Sequence, residues 1–458
     1  MRMPLLERMV AILDGMVWGP PLLILFLCVG LYLTVRTRGI QFRYLYHAHK
    51  LAFVRHDDCA PGDISHFQAL MTALAGTIGI GSIAGVATAI TLGGMGAIFW
   101  MWFSALFGMA IKYGEAIVAI KYRVTDEEGK MCGGPMYYIH HGLRWRLAGI
   151  LFAIFGIFAS FGIGNTVQSN SVALALADLL HINPLWSGII LMMVVGISLI
   201  GGIKSIGRVV EILVPAMALF YMIGGMSVII VRITSIPQAF ALIFKSAFNG
   251  QAAVGGFVGA SVMQAIQLGF SRGVFSSEAG MGSSPIAAAA AKTDTPGRQA
   301  LISMCSVFIT TGIVCTITGL VIALSGVFGE IGADGKLIDG SSLALHAFDR
   351  ILPYGGMIVT IALIPFAYST ILAWAYYGEQ FVEYLFGYHA TKYYRVIFTL
   401  ITLPGAILGI HFIWNFANMM NGLMAFPNLI ALFFLSNVIA EETNRFERIL
   451  KSEKGRSN

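Results

Sequence analysis

Apolar runs long enough to cross about 30 Å of hydrocarbon recur along the whole 458-residue chain, with no polar block between them large enough to fold by itself. Inside a bilayer only helices and closed barrels satisfy their own backbone hydrogen bonds, and runs of this length select helices. The expectation is an all-α integral membrane protein of about eleven transmembrane helices forming a single polytopic domain over residues 1–458. The spans fall near 14–36, 66–91, 97–122, 148–178, 184–202, 207–231, 254–291, 298–326, 350–380, 393–411 and 414–440. Only 11% of residues are charged, against about 25% in soluble domains. A cytosolic enzyme, a disordered chain and a secreted disulfide scaffold are all disfavoured. The first span has no small-residue cleavage site after it and reads as a retained anchor.

Lys and Arg fall unevenly about these spans. One side holds 22, from Arg36, Arg38, Arg43, Lys50 and Arg55 through Arg272, Lys292 and Arg298 to a basic tail at 441–458. The other side holds six, Arg2, Arg8, Arg232, Lys245, Lys336 and Arg350, and Lys112 lies within a span. The rich side is expected to be cytoplasmic, with the N-terminus outside and the C-terminus inside the plasma (inner) membrane. Scattered in this way, the basic residues give no reason to expect nucleic acid as a partner.

Two spans are expected to break. Ala73–Gly85 reads ALAGTIGIGSIAG, with glycines at 76, 79, 81 and 85, each costing about 1 kcal/mol of helix stability relative to alanine. Loosened backbone in lipid persists only against protein, water or a ligand. An interruption near Gly79 would aim N–H groups at an anion such as a carboxylate and freed carbonyls at a cation. The alternative is close packing through the small residues Gly81 and Gly85. The second interruption lies in Leu268–Pro285, LGFSRGVFSSEAGMGSSP, with Arg272 and Glu278 among four glycines; its alternative is a helix ending near Phe270 followed by a cytoplasmic loop. These are the second and seventh spans, so each opens a block of five, 66–231 and 254–440. That spacing is expected of a five-plus-five inverted repeat preceded by the extra helix 14–36.

Polar residues at depth mark candidate sites. Ser369 and Thr370 in the ninth span are hard oxygen ligands suited to Na+, and Pro365 before them frees the carbonyl of Ile361. The alternative is bonding to the preceding helical turn. Trp374 follows Thr370 by one turn and shares its face. In the fourth span Asn165 and Gln168, at i and i+3, would share a face able to hold an amino or carboxyl group or to bond a neighbouring helix. Lys112 and Glu115 are expected to form an internal pair near the cytoplasmic end of the third span. His47, His49, His56, Asp57, Asp58 and Cys59 match no compact metal motif, and the five cysteines form no CxxC. GxxxxGK[ST], HExxH and GxSxG are absent, which argues against ATP-driven pumping and against an enzyme.

Several segments together resemble the alanine or glycine:cation symporter family, also called sodium:alanine symporters. They are GGMGAIFWMWFSALFG (93–108), GGPMYY (133–138), FGIGNTVQSNSVA (161–173), RGVFSSEAGMGSSPIAAAAAKTD (272–294) and FAYSTILAW (366–374). The resemblance implies a broken-helix fold like that of the bacterial leucine transporter, and import of alanine or glycine, D-alanine included, with Na+ as coupling ion and no organic cofactor. Proton-coupled or glutamine-type transport is the alternative. A monomer surrounded by lipid is expected. The implied sodium ligands are the carbonyls of Ala75, Ile78 and Phe366 with the hydroxyls of Ser369 and Thr370. The implied amino-acid pocket lies near Thr77, Gly79, Gly81, Gln168, Thr370 and Trp374, with Asn165 beside Gln168. Ile80, Ser82 and Ser277 depart from the usual Thr, Asn and Asn of the family. Loss of the amide carbonyl at position 82 weakens a second sodium site, so one Na+ per substrate is expected.

Overall fold

The computed structural model describes residues 5–53, 60–249, 261–332, 335, 337–408 and 411–456. Arg2, Arg55 and Lys336 of the charge pattern, His56, Asp57, Asp58 and Cys59, and the start of the seventh span lie outside the described residues. Among the described residues, seven helices are long and apolar enough to cross a membrane: Arg8–Arg36, Gly96–Lys121, Arg146–Ala177, Gly202–Val231, Pro296–Ser325, Gly355–Phe386 and Ile413–Phe434. They coincide with the first, third, fourth, sixth, eighth, ninth and eleventh expected spans. The fifth and tenth are the shorter helices Pro184–Leu199 and Ala390–Ile407.

The second and seventh spans are interrupted. The second runs as His66–Thr77, a single 3-10 turn at Ile80–Ser82, and Ala84–Gly93. The seventh runs as Val262–Ser277, an irregular stretch, and a short helix Pro285–Ala289. Each opens on the same local device: Ser65 with Gln68, and Ser261 with Gln264, form reciprocal capping boxes that satisfy two otherwise orphaned N–H groups. The third span packs along the seventh and the eighth, and the ninth along the second and the sixth. The interior of the bundle is thereby built around the two interruptions.

Exposed Val35, Ile197, Ile212 and Val396 stud the outer surface. Such a surface aggregates in water but suits contact with acyl chains. Helices also form between spans, at Leu45–Phe53, Ile236–Asn249 and Gly340–Ile351. The basic tail is itself helical, Ser436–Arg456, and docks by burying Phe446 and Leu450. Ion pairs hold it, Arg43–Glu447 at 2.9 Å and Lys121–Glu442 at 2.6 Å.

Candidate functional site

At the second-span break the helix ends at Thr77, Ile78 leaves helical geometry (φ −83°, ψ 72°) and Gly79 is extended. Ser82 and Ile83 close the 3-10 turn onto the carbonyls of Gly79 and Ile80, both at 3.1 Å. The N–H groups of Gly79, Ile80 and Gly81 have no hydrogen-bond partner among the described residues. Glycine at 79 is required by close approach, since a Cβ there would stand 2.5 Å from Thr370 Oγ1. The ninth span therefore presses its hydroxyls directly against the break. Thr370 Oγ1 lies 3.0 Å from the Ala75 carbonyl and 2.9 Å from that of Phe366, and Ser369 Oγ lies 2.9 Å from the Phe366 carbonyl.

Beside this oxygen cluster is a narrow cavity of about 20 Å³, lined by Thr77, Gly79, Gly81, Gln168, Thr370 and Trp374. The seventh span adds Phe275, Ser276, Glu278 and Met281, and the eleventh adds Asn421. Asn165 is not among the lining residues. It donates to the Phe398 carbonyl of the tenth span at 2.6 Å, whereas Gln168 bonds the Ile163 carbonyl at 3.1 Å and leaves Oε1 without a partner. The expected shared face is lost because Gly162–Thr166 forms a π turn, whose i→i+5 bonding shifts the register of the face. Phe275, Met281 and Asn421 were not singled out from sequence. Four asparagines in one apolar helix, Asn415, Asn418, Asn421 and Asn428, were the available signal.

The seventh-span break is organised differently. Glu278 sits in the left-handed region (φ 54°), with Gly280 and Gly282 also at positive φ. Lys112 and Glu115 do not bridge each other, contrary to expectation, because the third span passes beside this break and each finds a backbone partner there. Lys112 Nζ donates to the Ser277 carbonyl at 2.8 Å, and Glu115 Oε1 accepts from Gly282 N at 3.1 Å and Asn428 Nδ2 at 2.6 Å. Asn428 also donates to the Gly280 carbonyl at 2.8 Å. Glu278 accepts from Ser283 Oγ at 2.8 Å and faces Lys112 and Trp374.

A vestibule of about 760 Å³ adjoins the cavity and shares Ile80, Gly81, Gln168 and Phe275 with it. It opens on the Lys- and Arg-poor face, beside Asp339 and Ser341. Arg272 lines this vestibule and so belongs to the opposite side from the one expected. The seventh span stays helical past Phe270 to Ser277, which keeps Arg272 within it. At the Lys- and Arg-rich face the two broken spans are tied together. Asp63 N bonds the Ala290 carbonyl and Lys292 N the Ile64 carbonyl, both at 2.8 Å, while Arg123 donates to the carbonyls of Pro61, Ala289 and Ala291. Near this seal Asp126, Cys132 and Glu383 hold their ligand atoms within 4.8 Å of one another. Cys132 donates to Glu383 at 3.1 Å, so these groups partly satisfy each other.

A profile of the sodium:alanine symporter family matches residues 3–458. The chain belongs to the sodium:alanine symporter family. This symporter is 51% identical over 445 residues to the sodium/alanine symporter AgcS of Methanococcus maripaludis, covering 96% of this chain and 97% of the relative. It is 36% identical over 452 residues to a Bacillus subtilis protein named "Probable sodium/glutamine symporter GlnT", covering 98% of this chain and 92% of that one. Among solved structures it resembles MhsT in complex with L-phenylalanine, with a TM-score of 0.56 at 15% identity, covering 83% of this chain and 98% of that one. That likeness places the fold among the leucine-transporter-like proteins. The protein is thus a multi-pass membrane symporter, not an enzyme.

Proposed function

We propose that this symporter imports a small neutral amino acid, alanine or glycine with D-alanine in the same class, together with one Na+ by alternating access. The observation that carries the reading is the meeting of two complementary features at one break. Two hydroxyls and two carbonyls are linked through contacts of 2.9 to 3.0 Å, from Ser369 and Thr370 to the Phe366 carbonyl and from Thr370 to that of Ala75, and three N–H groups beside them have no partner among the described residues. The oxygens of Ala75, Phe366, Ser369 and Thr370, with Ile78 at the turn, suit a hard cation. The N–H groups of Gly79, Ile80 and Gly81 suit a carboxylate.

Na+ bound at this junction fixes the geometry of the break and so completes the carboxylate site. Each ligand then raises the affinity for the other by the same factor. With the Lys- and Arg-rich face cytoplasmic, the vestibule is the outer entrance, Phe275 separates it from the cavity, and the seal around Arg123 blocks the inner exit. Inward release requires that seal to part. Ser82 is engaged with the Thr77 carbonyl and Ser276 Oγ, both at 3.3 Å, which supports a single ion.

The test is uptake of labelled alanine into proteoliposomes under an inward Na+ gradient, against K+ and against an inward proton gradient. Uptake is expected to need Na+, and Ser369→Ala with Thr370→Ala to abolish that requirement together with accumulation. Accumulation driven by protons alone and lost in Glu278→Gln would overturn the sodium reading.

A further inference from the structure

The eleventh span carries four asparagines, Asn415, Asn418, Asn421 and Asn428, and the side-chain nitrogens of Asn418 and Asn428 are engaged. Asn418 Nδ2 holds Asp14 at 2.8 and 3.0 Å, and Asn428 holds Glu115 and the Gly280 carbonyl. Asn421 lies between them, 0% exposed, yet neither its Nδ2 nor its Oδ1 has a hydrogen-bond partner among the described residues. It lines the cavity, where Gln168 Oε1 is also unpartnered at 4% exposure. Leaving buried polar groups unpaired is costly, and native proteins rarely do it except where a ligand or water completes them. A methyl group could complete neither asparagine atom.

The geometry points to Asn421 as a specificity-determining residue that hydrogen-bonds a substrate side chain able both to donate and to accept, the hydroxyl of a serine-sized amino acid being the smallest. This rests on the amino-acid symport proposed above and refines its substrate class. The substrate carboxylate takes the N–H groups of the second-span break. Its side chain then reaches across the cavity to the eleventh span, where Asn421 Nδ2 donates to the hydroxyl oxygen and the hydroxyl hydrogen goes to Asn421 Oδ1 or Gln168 Oε1. Ile163 and Met281 line the same cavity and offer a side-chain hydroxyl nothing to bond.

The test compares Na+-driven uptake of L-serine and L-2-aminobutyrate, which replaces the hydroxyl by a methyl of similar size, in proteoliposomes of the full-length protein. Serine is expected to have kcat/KM at least about tenfold higher, the loss anticipated when a buried donor and acceptor face a methyl. In Asn421→Leu that preference should collapse, serine losing about tenfold more than alanine, while Asn421→Thr, which keeps a donor and an acceptor, should retain most of it. Equal uptake of the two by the wild type would overturn the assignment, as would an Asn421→Leu protein that loses serine and alanine transport by the same factor. Alanine uptake without serine preference defeats this inference alone. Absence of Na+-driven uptake of every amino acid defeats the symport reading as well.

Discussion

The two interrupted spans start alike and end differently. Both begin with a serine–glutamine capping box, and both lose helical geometry inside the bundle. In the seventh span part of the loosened backbone is taken up by neighbouring side chains: Lys112 holds the Ser277 carbonyl, Glu115 holds Gly282 N and Asn428 holds the Gly280 carbonyl. In the second span three consecutive N–H groups remain unpartnered. Charged and amide side chains of the third and eleventh spans brace the seventh-span break, whereas a hydroxyl of the ninth span is what meets the second. The substrate chemistry proposed above falls on the second span, and the seventh supplies the wall carrying Phe275 and Glu278.

If that contrast is right, variants at the two breaks separate stability from transport. Lys112→Met strips the Ser277 carbonyl of its donor and leaves Glu278 and Glu115 without their nearby cation. A stability loss of about 3 kcal/mol is expected, read as a large drop in Tm in detergent. A Tm close to wild type would mean that the seventh-span break is not held this way. Gly79→Val should instead fold and fail to transport. Its Cβ collides with Thr370 Oγ1, and a reduction of alanine uptake by about a hundredfold or more, with little change in Tm, is the expected pattern. A comparable Tm drop in both variants would erase the distinction. The smallest effect is expected at the shared feature. Ser65→Ala and Ser261→Ala should each cost about 1 kcal/mol of stability, and unequal losses would show that the two caps are not equivalent in the folded bundle.

Much of this was legible in the sequence because it depends on local composition. The glycine density of 76–85 and of 269–282 located both interruptions, and Ser369 and Thr370 stood out as adjacent hydroxyls in an apolar span. Asn165 and Gln168 show where such reading stops. Their i, i+3 spacing promised one face, but the π turn at Gly162–Thr166 sent Asn165 to the tenth span and left Gln168 at the cavity. Lys112 and Glu115 looked like partners for the same reason, and each is instead engaged by a neighbouring helix.

By itself, the sequence determined that the chain crosses a bilayer many times, where its helices are weak and which face carries the basic loops. These follow from hydropathy, glycine content and charge counted along the chain. Only the tertiary structure decided which polar groups are spent on the protein and which remain for a ligand. Asn418, Asn421 and Asn428 are chemically identical and share one helix, and only the groups packed against each of them make the middle one different. Arg272 is likewise assigned to the vestibule by how far the seventh helix continues, a matter of packing against the third span rather than of residue type.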